Sequence, residues 1–479
     1  MFNPAESQRF VLQIPDVRHD FKVLEFTGTE AISTLYSIHV DLVSEHPDLD
    51  LANFLCKPAF LQFGSCGEGI HGLIDDISAC DIGKRLTRYE IRLVPALHSL
   101  QHSHDHRIFQ NLTVPQTIAT VLNKHGMHTD TFTFHVKPNL AREYCTQYRE
   151  SDFQFIQRLC AEEGIAWHHQ HSCDSHVLVF TDDQTFYPKL GVTPYRDSSG
   201  MLPDHPAVSR FSMRLSIRPN KATGRDYDLK RPSALLESSF TTERSRELED
   251  YRYPMFFESE KRGKQLARQA LERHRADYQL AEGASNQSAL RSGHFFTLSQ
   301  HPRETYNQLW LLLSITHEGK QPQVLEESLT SGIESKDGFT QGYRNSLSAI
   351  PWDVFYRPPM PAPRPLMVSQ TARVTGPVGE DIYCDEFGRV KVEFHWDRAE
   401  RNSEHSSCWL RVAGGWAGEH FGAMTIPRIG MEVLVTHLEG NPDQPLITGC
   451  LINKVTAPPY PLPEHKTRTA LRSQSTPYT

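Results

Sequence analysis

Glu380-Asp-Ile-Tyr-Cys-Asp-Glu-Phe-Gly-Arg-Val-Lys-Val-Glu-Phe-His-Trp-Asp-Arg398 is the stretch whose pattern says most about the architecture of this chain. Apolar and polar residues alternate along it. A strand over Gly388–Trp396 would place Val390, Val392, Phe394 and Trp396 on one face and Lys391, Glu393, His395 and Asp397 on the other. Ahead of it, Asp385-Glu-Phe-Gly388 reads as a tight hairpin loop with glycine at the left-handed position. Further short strands are expected at Cys408–Val412, Glu432–His437 and Pro445–Leu451, separated by Gly- and Pro-rich turns. About five short strands with no helix between them predict a small closed barrel, for which the OB-fold is the commonest solution.

Proline clusters frame this block. Arg357-Pro-Pro-Met-Pro-Ala-Pro-Arg-Pro365 favours extended polyproline geometry and reads as a stiff spacer, and Ala457-Pro-Pro-Tyr-Pro-Leu-Pro463 closes the block. The polar tail Glu464–Thr479 carries no packing pattern. Upstream, residues 9–110 read as β. Phe60–Phe63 and Ile70–Ile74 flank a turn at Gly64–Gly69, and Tyr89–Val94 alternates with period two. Two capping boxes, Thr113-Val-Pro-Gln116 and Ser151-Asp-Phe-Gln154, start helices that Gly126 and Gly164 end. Strands return at Ile165–His169, Val177–Phe180, Phe295–Leu298 and Leu309–Ile315. Residues 258–277 predict a charged helix with Leu266, Ala270, Leu271 and His274 on one side, a face that needs a partner. The fold class is therefore mainly β with helical insertions, organised as 1–370, a barrel over 371–456 and a tail over 457–479.

Bulk properties exclude several function classes. The formal net charge of the 479 residues is -8, so no long-range attraction to nucleic acid or anionic membrane is expected. Within 371–460, eight Lys plus Arg face twelve Asp plus Glu, a poor surface for tracking phosphates despite the barrel's frequent use for that purpose. The apolar run Leu309–Ile315 is far short of the ~20 residues a membrane span needs. The N-terminus lacks the basic and apolar regions of a secretory signal. Nine scattered cysteines with no C-x-x-C pair fit a reducing cytosol.

Two histidine-rich patches are the candidates for chemistry. His98, His102, His104 and His106 form the denser one, but His102-Ser-His-Asp-His106 is one residue short of the H-x-H-x-D-H zinc spacing. An exposed loop is the plainer reading. Cys160, His168, His169, His171 and Cys173 form the second, with His169 and His171 sharing a strand face. Their spacing matches no standard zinc finger, and a buried cysteine with surface histidines in a hairpin is the plainer expectation. Gly64–Gly69 lacks the Gly-Lys-Ser/Thr ending of a phosphate loop, and no G-x-S-x-G or H-E-x-x-H occurs. No catalytic, cofactor or metal site is expected.

The stretch Glu380–Arg398 resembles the hallmark of VgrG proteins, the trimeric spike of bacterial type VI secretion. Ser407–Val412, Gly422–Val433, Gly440–Gly449 and Pro459–Thr467 match that family in order. Upstream, Cys145–Phe153 with Glu162–Ile165, Arg225–Asp228 with Pro232-Ser233, Gly283–Asn286, Tyr343–Asn345 and Tyr356–Pro359 resemble its hub. The resemblance implies a hub like that of contractile phage tails over about 1–370, followed by an OB neck. It implies a homotrimer that caps the Hcp tube, contacts the baseplate, carries effectors and leads into a β needle tipped by a PAAR-repeat protein. Such a spike is assembled in the cytoplasm, exported without a signal peptide, and meets the target membrane by puncture. The chain departs from the pattern at its end, where the repetitive needle and any effector domain would be expected. Two competing expectations are a contractile-phage hub and a metal-dependent enzyme at the His-rich loop.

Overall fold

Period-two burial organises the first part of the chain. Strand β1 (Lys22–Ala31) and strand β2 (Thr34–Ser44) form an antiparallel pair in which Phe26 faces Val40. Strand β3 (Gly69–Ile82) and strand β4 (Thr87–Val94) extend it in the order β3-β4-β2-β1. Along β2, Tyr36, Ile38, Val40 and Leu42 point inward and are at most 1% exposed. Burial of each such side chain contributes roughly 1.5–3 kcal/mol. Pro58–Gln62 pairs antiparallel with β3 across the predicted hairpin turn, in which Ser65 and Cys66 lie outside the described residues. The computed structural model describes residues 10–64, 67–82, 85–197, 205–242, 248–325, 338–362 and 369–474.

The chain divides into two units, Met1–Gln101 with Val121–Pro138 and Ile156–Met360, and His102–Thr120 with Asn139–Phe155 and Pro361–Thr479. In the first, the hairpin of β5 (Ala166–His171) and β6 (His176–Thr181) pairs in parallel with Phe132–His135. Strand β7 (Leu309–Lys320) then joins β1, and β8 (Gly342–Pro351) joins β7, within a 12-stranded sheet. Gly319 on β7 lies under the Phe26 ring, where a Cβ would sit 2.1 Å from Cε1, so only glycine fits.

The helices begin where the capping boxes place them. In α1 (Val114–Lys124), Thr113 N–H donates to Gln116 Oε1 at 2.9 Å and Gln116 N–H donates back to Thr113 Oγ1 at 3.4 Å. Ser151 and Gln154 make the same exchange at the start of α2 (Asp152–Glu163). Gly126 and Gly164 follow with φ of 73° and 67°. The charged helix α3 (Glu260–His274) starts at the N-cap Ser259. It finds its partner in a three-stranded sheet of Lys221–Asp226, Leu236–Thr241 and Glu249–Arg252, where Ala270 and Leu271 meet Ala222. The first residue of the proline-rich spacer is anchored in this unit. The Arg357 guanidinium reaches Glu272 Oε2 at 2.8 Å, Gly164 O at 2.8 Å and Asp182 O at 2.7 Å. Residues 363–365 of the spacer lie outside the described residues.

The second unit holds the barrel. Strands β9 (Gln370–Thr375), β10 (Lys391–Phe394), β11 (Arg411–Val412), β12 (Glu432–His437) and β13 (Pro445–Leu451) follow the order β10-β9-β12-β13-β11. An antiparallel bridge from Val390 to Leu410 links the two ends of that path, closing it. The turn at Asp385–Gly388 is present, but no strand leads into it, so it is not the tight loop of a hairpin. Asp385 Oδ1 accepts from Phe387 and Arg389 N–H, and Gly388 has φ 66°. One further expectation needs correction. The regular strands are shorter than Gly388–Trp396 and Cys408–Val412, because outside β10 and β11 these segments pair, among the described residues, only through the isolated Val390–Leu410 bridge. Glu393 and Asp397, on the polar face of that segment, are buried as well, because following residues fold over them: Asn402 N–H donates to Glu393 and Ala399 N–H to Asp397.

The barrel core also draws on residues far upstream. Ile108 and Tyr144 pack with Val374, Val390, Val392, Phe394, Leu410 and Val433. They arrive on the strand His104–Phe109 and just ahead of Cys145–Ser151, which pair antiparallel with each other. Thr146 N–H donates to Asp443 Oδ1 at 2.6 Å, and Gln110 Nε2 donates to His405 O at 2.9 Å.

Candidate functional site

The first histidine patch is spread over different environments. His98 lies in the 3-10 helix Ala96–His102 with Nδ1 3.4 Å from Asp75 Oδ1. His102 and His104 are exposed. The His106 ring packs edge-on against Tyr148 at 4.7 Å, and this burial pushes its pKa down. Asp105, the carboxylate a zinc reading would recruit, accepts from Arg398 Nη2 at 2.6 Å and lies 3.5 Å from Arg107 Nε.

In the second patch, Cys160 is buried on α2 and burial pushes its thiol far up, whereas Cys173 is exposed at the hairpin tip. Among the described residues, the triads whose ligand atoms lie within 4.8 Å of one another include none of Cys160, His168, His169, His171 and Cys173. The expectation of surface histidines is overturned. His168 is 1% and His169 6% exposed, because β5 is covered on both faces. On one face Tyr36 of β2 stands edge-on to His169 and His171 at 5.0 and 5.2 Å. On the other, His168 packs against Tyr187 and against Gly293, where a Cβ would meet the ring at 2.5 Å.

The sequence reading missed the partners that make this an imidazole core. His176 Nδ1 lies 2.9 Å from His71 Nδ1 of β3. Ala96 N–H donates to His176 Nε2 at 3.0 Å. That acceptor role places the His176 proton on Nδ1, so His176 donates to His71. Deeper in, Asn345 Nδ2 donates to the Tyr343 hydroxyl at 3.1 Å, and that hydroxyl lies 2.6 Å from His317 Nδ1. Tyr343 thus donates to His317, whose Nε2 proton faces Glu30 Oε1 at 3.3 Å. Glu30 also accepts from Ser292 N–H at 3.0 Å and lies 3.7 Å from His171 Nε2. Burial pushes the Glu30 carboxyl up, but the His171 and His317 rings outweigh it and hold the pKa well below the usual range. The same burial drives the imidazoles toward neutrality, His71 down to about 4 and His168 and His176 to about 3. The only sequence signal for this core is the period-two pair His169 and His171. His71, His176 and His317 come from separate elements.

A different feature marks the barrel unit. Its hairpin of Trp416–Gly418 and Phe421–Ala423 carries Trp416 and Phe421 at 63% and 61% exposure, with Met424 beside them at 84%. Large apolar side chains grouped in this way on a surface mark interaction sites.

A sheet-rich unit followed by a closed five-stranded barrel is the architecture of the tail-hub class, and comparison with known proteins bears this out. The chain belongs to the phage tail baseplate hub (GPD) family, whose model matches residues 29–323, and residues 374–451 match the type VI secretion system/phage-baseplate injector OB domain. It is 51% identical to the type VI secretion system spike protein VgrG4b of Pseudomonas aeruginosa over 100% of this chain and 60% of that protein. It is 50% identical to VgrG5 of the same organism over 100% of this chain and 61% of the relative. The chain therefore spans about three-fifths of these relatives' length. Among solved structures it resembles the E. coli c3393 protein, described as a component of the type VI secretion system similar to T4 tail proteins gp27 and gp5. The TM-score is 0.68 at 23% identity, covering 92% of this chain and 100% of that one, a likeness of fold. The expected mainly β hub and OB barrel, and the VgrG resemblance, are borne out. Among the described residues no helix is long and apolar enough to cross a membrane.

Proposed function

We propose that this chain forms the hub and neck of a type VI secretion spike. Residues 1–370 serve as hub, 371–456 as neck, and 457–479 lead toward a needle. Three copies assemble, seat on the Hcp tube at the baseplate, and carry effectors. A PAAR-repeat protein tips the needle, and the assembly leaves the cytoplasm with the machine and pierces the target membrane mechanically. The role is transmission of force through shape, with no reaction catalysed and no metal or cofactor required. The observation that carries this reading is the 51% identity to the spike protein VgrG4b along the whole chain. The exposed Trp416, Phe421 and Met424 agree with it, as an apolar surface suited to burial between subunits. Deletion of the gene in a host with no second copy tests it: Hcp is expected to vanish from the medium while cytoplasmic Hcp persists. Undiminished Hcp release would overturn the assignment.

A further inference from the structure

The imidazole core has no part in the role proposed above. It lies among β1, β2, β3, β5, β6, β7 and β8. The His71–His176 hydrogen bond is a side-chain tie between β3 and the outer end of the β5–β6 hairpin. The inner end is held differently: Ser33 N–H donates to Trp167 O at 2.7 Å, and Trp167 N–H donates to Ser33 Oγ at 3.2 Å. No group in that inner anchor titrates between neutral and acidic pH.

We propose that the His71–His176 pair is an acid-released latch, whose protonation frees the tip half of the hairpin, residues 169–177, from β3 while the Trp167 end stays anchored. The chemistry follows from the assigned protons. A proton arriving at His71 Nδ1 sets N–H against N–H across the 2.9 Å contact. A proton arriving at His176 Nε2 displaces the Ala96 N–H that donates there. Either event breaks a tie.

The surroundings offer little compensation for added positive charge. From β5, His169 and His171 face the pair, and from β2 the neutral Tyr36 phenol does. Asp174 at the hairpin turn favours a charged His71, but His171 opposes it. Further in, β1 contributes Glu30, and Arg291 exerts a positive charge on it. His317 of β7 and Tyr343 of β8 close that side, while His168 faces His294 and senses His135. Released from this setting, His71 and His176 regain a pKa near 6.5 from native values of about 4 and about 3. Opening therefore takes up protons as pH falls below 6.5 toward 4. Each proton taken up raises the opening constant about tenfold per pH unit in that window.

Amide hydrogen exchange of the full chain at about pH 7.5 and about pH 5, corrected for the intrinsic rate, tests the latch. Peptides over residues 169–177 are expected to lose protection by about thirtyfold or more at the lower pH, and those over Thr87–Val94 by less than about twofold. An equal loss in both, or none in the hairpin, would overturn the proposal. His71→Gln and His176→Gln remove the titrating groups and are expected to flatten the hairpin's pH response. A full response retained in both folded variants would also overturn it. A measurement on the unaltered chain covers variants that fail to fold: imidazole C2-proton exchange, read by mass spectrometry, gives each ring's midpoint. Midpoints for His71 and His176 near 6.5 would refute the latch, and midpoints well below it would support it.

Discussion

Single residues in this chain bind distant strands through polar bonds made away from water. Tyr343 is the clearest case. Its hydroxyl serves both His317 and Asn345 inside the first unit. Tyr343→Phe keeps the ring stacked on Phe63 and removes only that oxygen, leaving His317 Nδ1 buried without a donor. The expected cost is about 1–3 kcal/mol, read as a lower urea midpoint with an unchanged slope. Leu410 plays an apolar counterpart in the barrel, being fully buried at the bridge to Val390. Leu410→Ala should cost ~2–5 kcal/mol by leaving a cavity, seen as a fall in the barrel's unfolding midpoint.

Elements were legible in the sequence wherever the signal was local. The capping boxes at Thr113 and Ser151 depend on residues three apart, and both appear as predicted. Thr113→Ala is expected to destabilise α1 by about 1 kcal/mol, measurable by urea denaturation, because Gln116 N–H loses its cap. Strands β12 and β13 were equally plain, as the short apolar runs Val433-Leu-Val435 and Leu446-Ile447 between turns. Burial that depends on remote partners was not legible. The His168–His169 segment reads as polar and hence exposed, yet Tyr36, Tyr187 and Gly293 from separate elements enclose it. The burial of Glu393 was hidden for a similar reason, since the covering loop is irregular and has no period to detect.

At the scale of the whole molecule, the sequence resemblance carried more than the physics of composition. Acidic balance and missing motifs gave only negative expectations about partners, and the ordered matches alone pointed to a spike. Assembly is where that reading is exposed to test. Light scattering is expected to give a mass near three times 54.7 kDa. Replacing Trp416 and Phe421 together with serine should shift the mass toward that of one chain while circular dichroism stays unchanged, because both side chains are already in solvent within a single copy.

The borrowing of Ile108 and Tyr144 by the barrel also orders events at the ribosome. The barrel's strands span 370–451, yet two of its core side chains belong to a ribbon made more than two hundred residues earlier. That ribbon leaves the exit tunnel before the last barrel strand is synthesised, so the barrel's core is incomplete until the two meet. Contacts across so long an interval are the kind that slow folding, so completion of the barrel is expected to be a late step. A fragment of residues 371–456 made alone would lack its two upstream plugs. It should be less soluble than a mixture in which a peptide spanning 102–155 is supplied in trans, a comparison that sedimentation of the two preparations would decide.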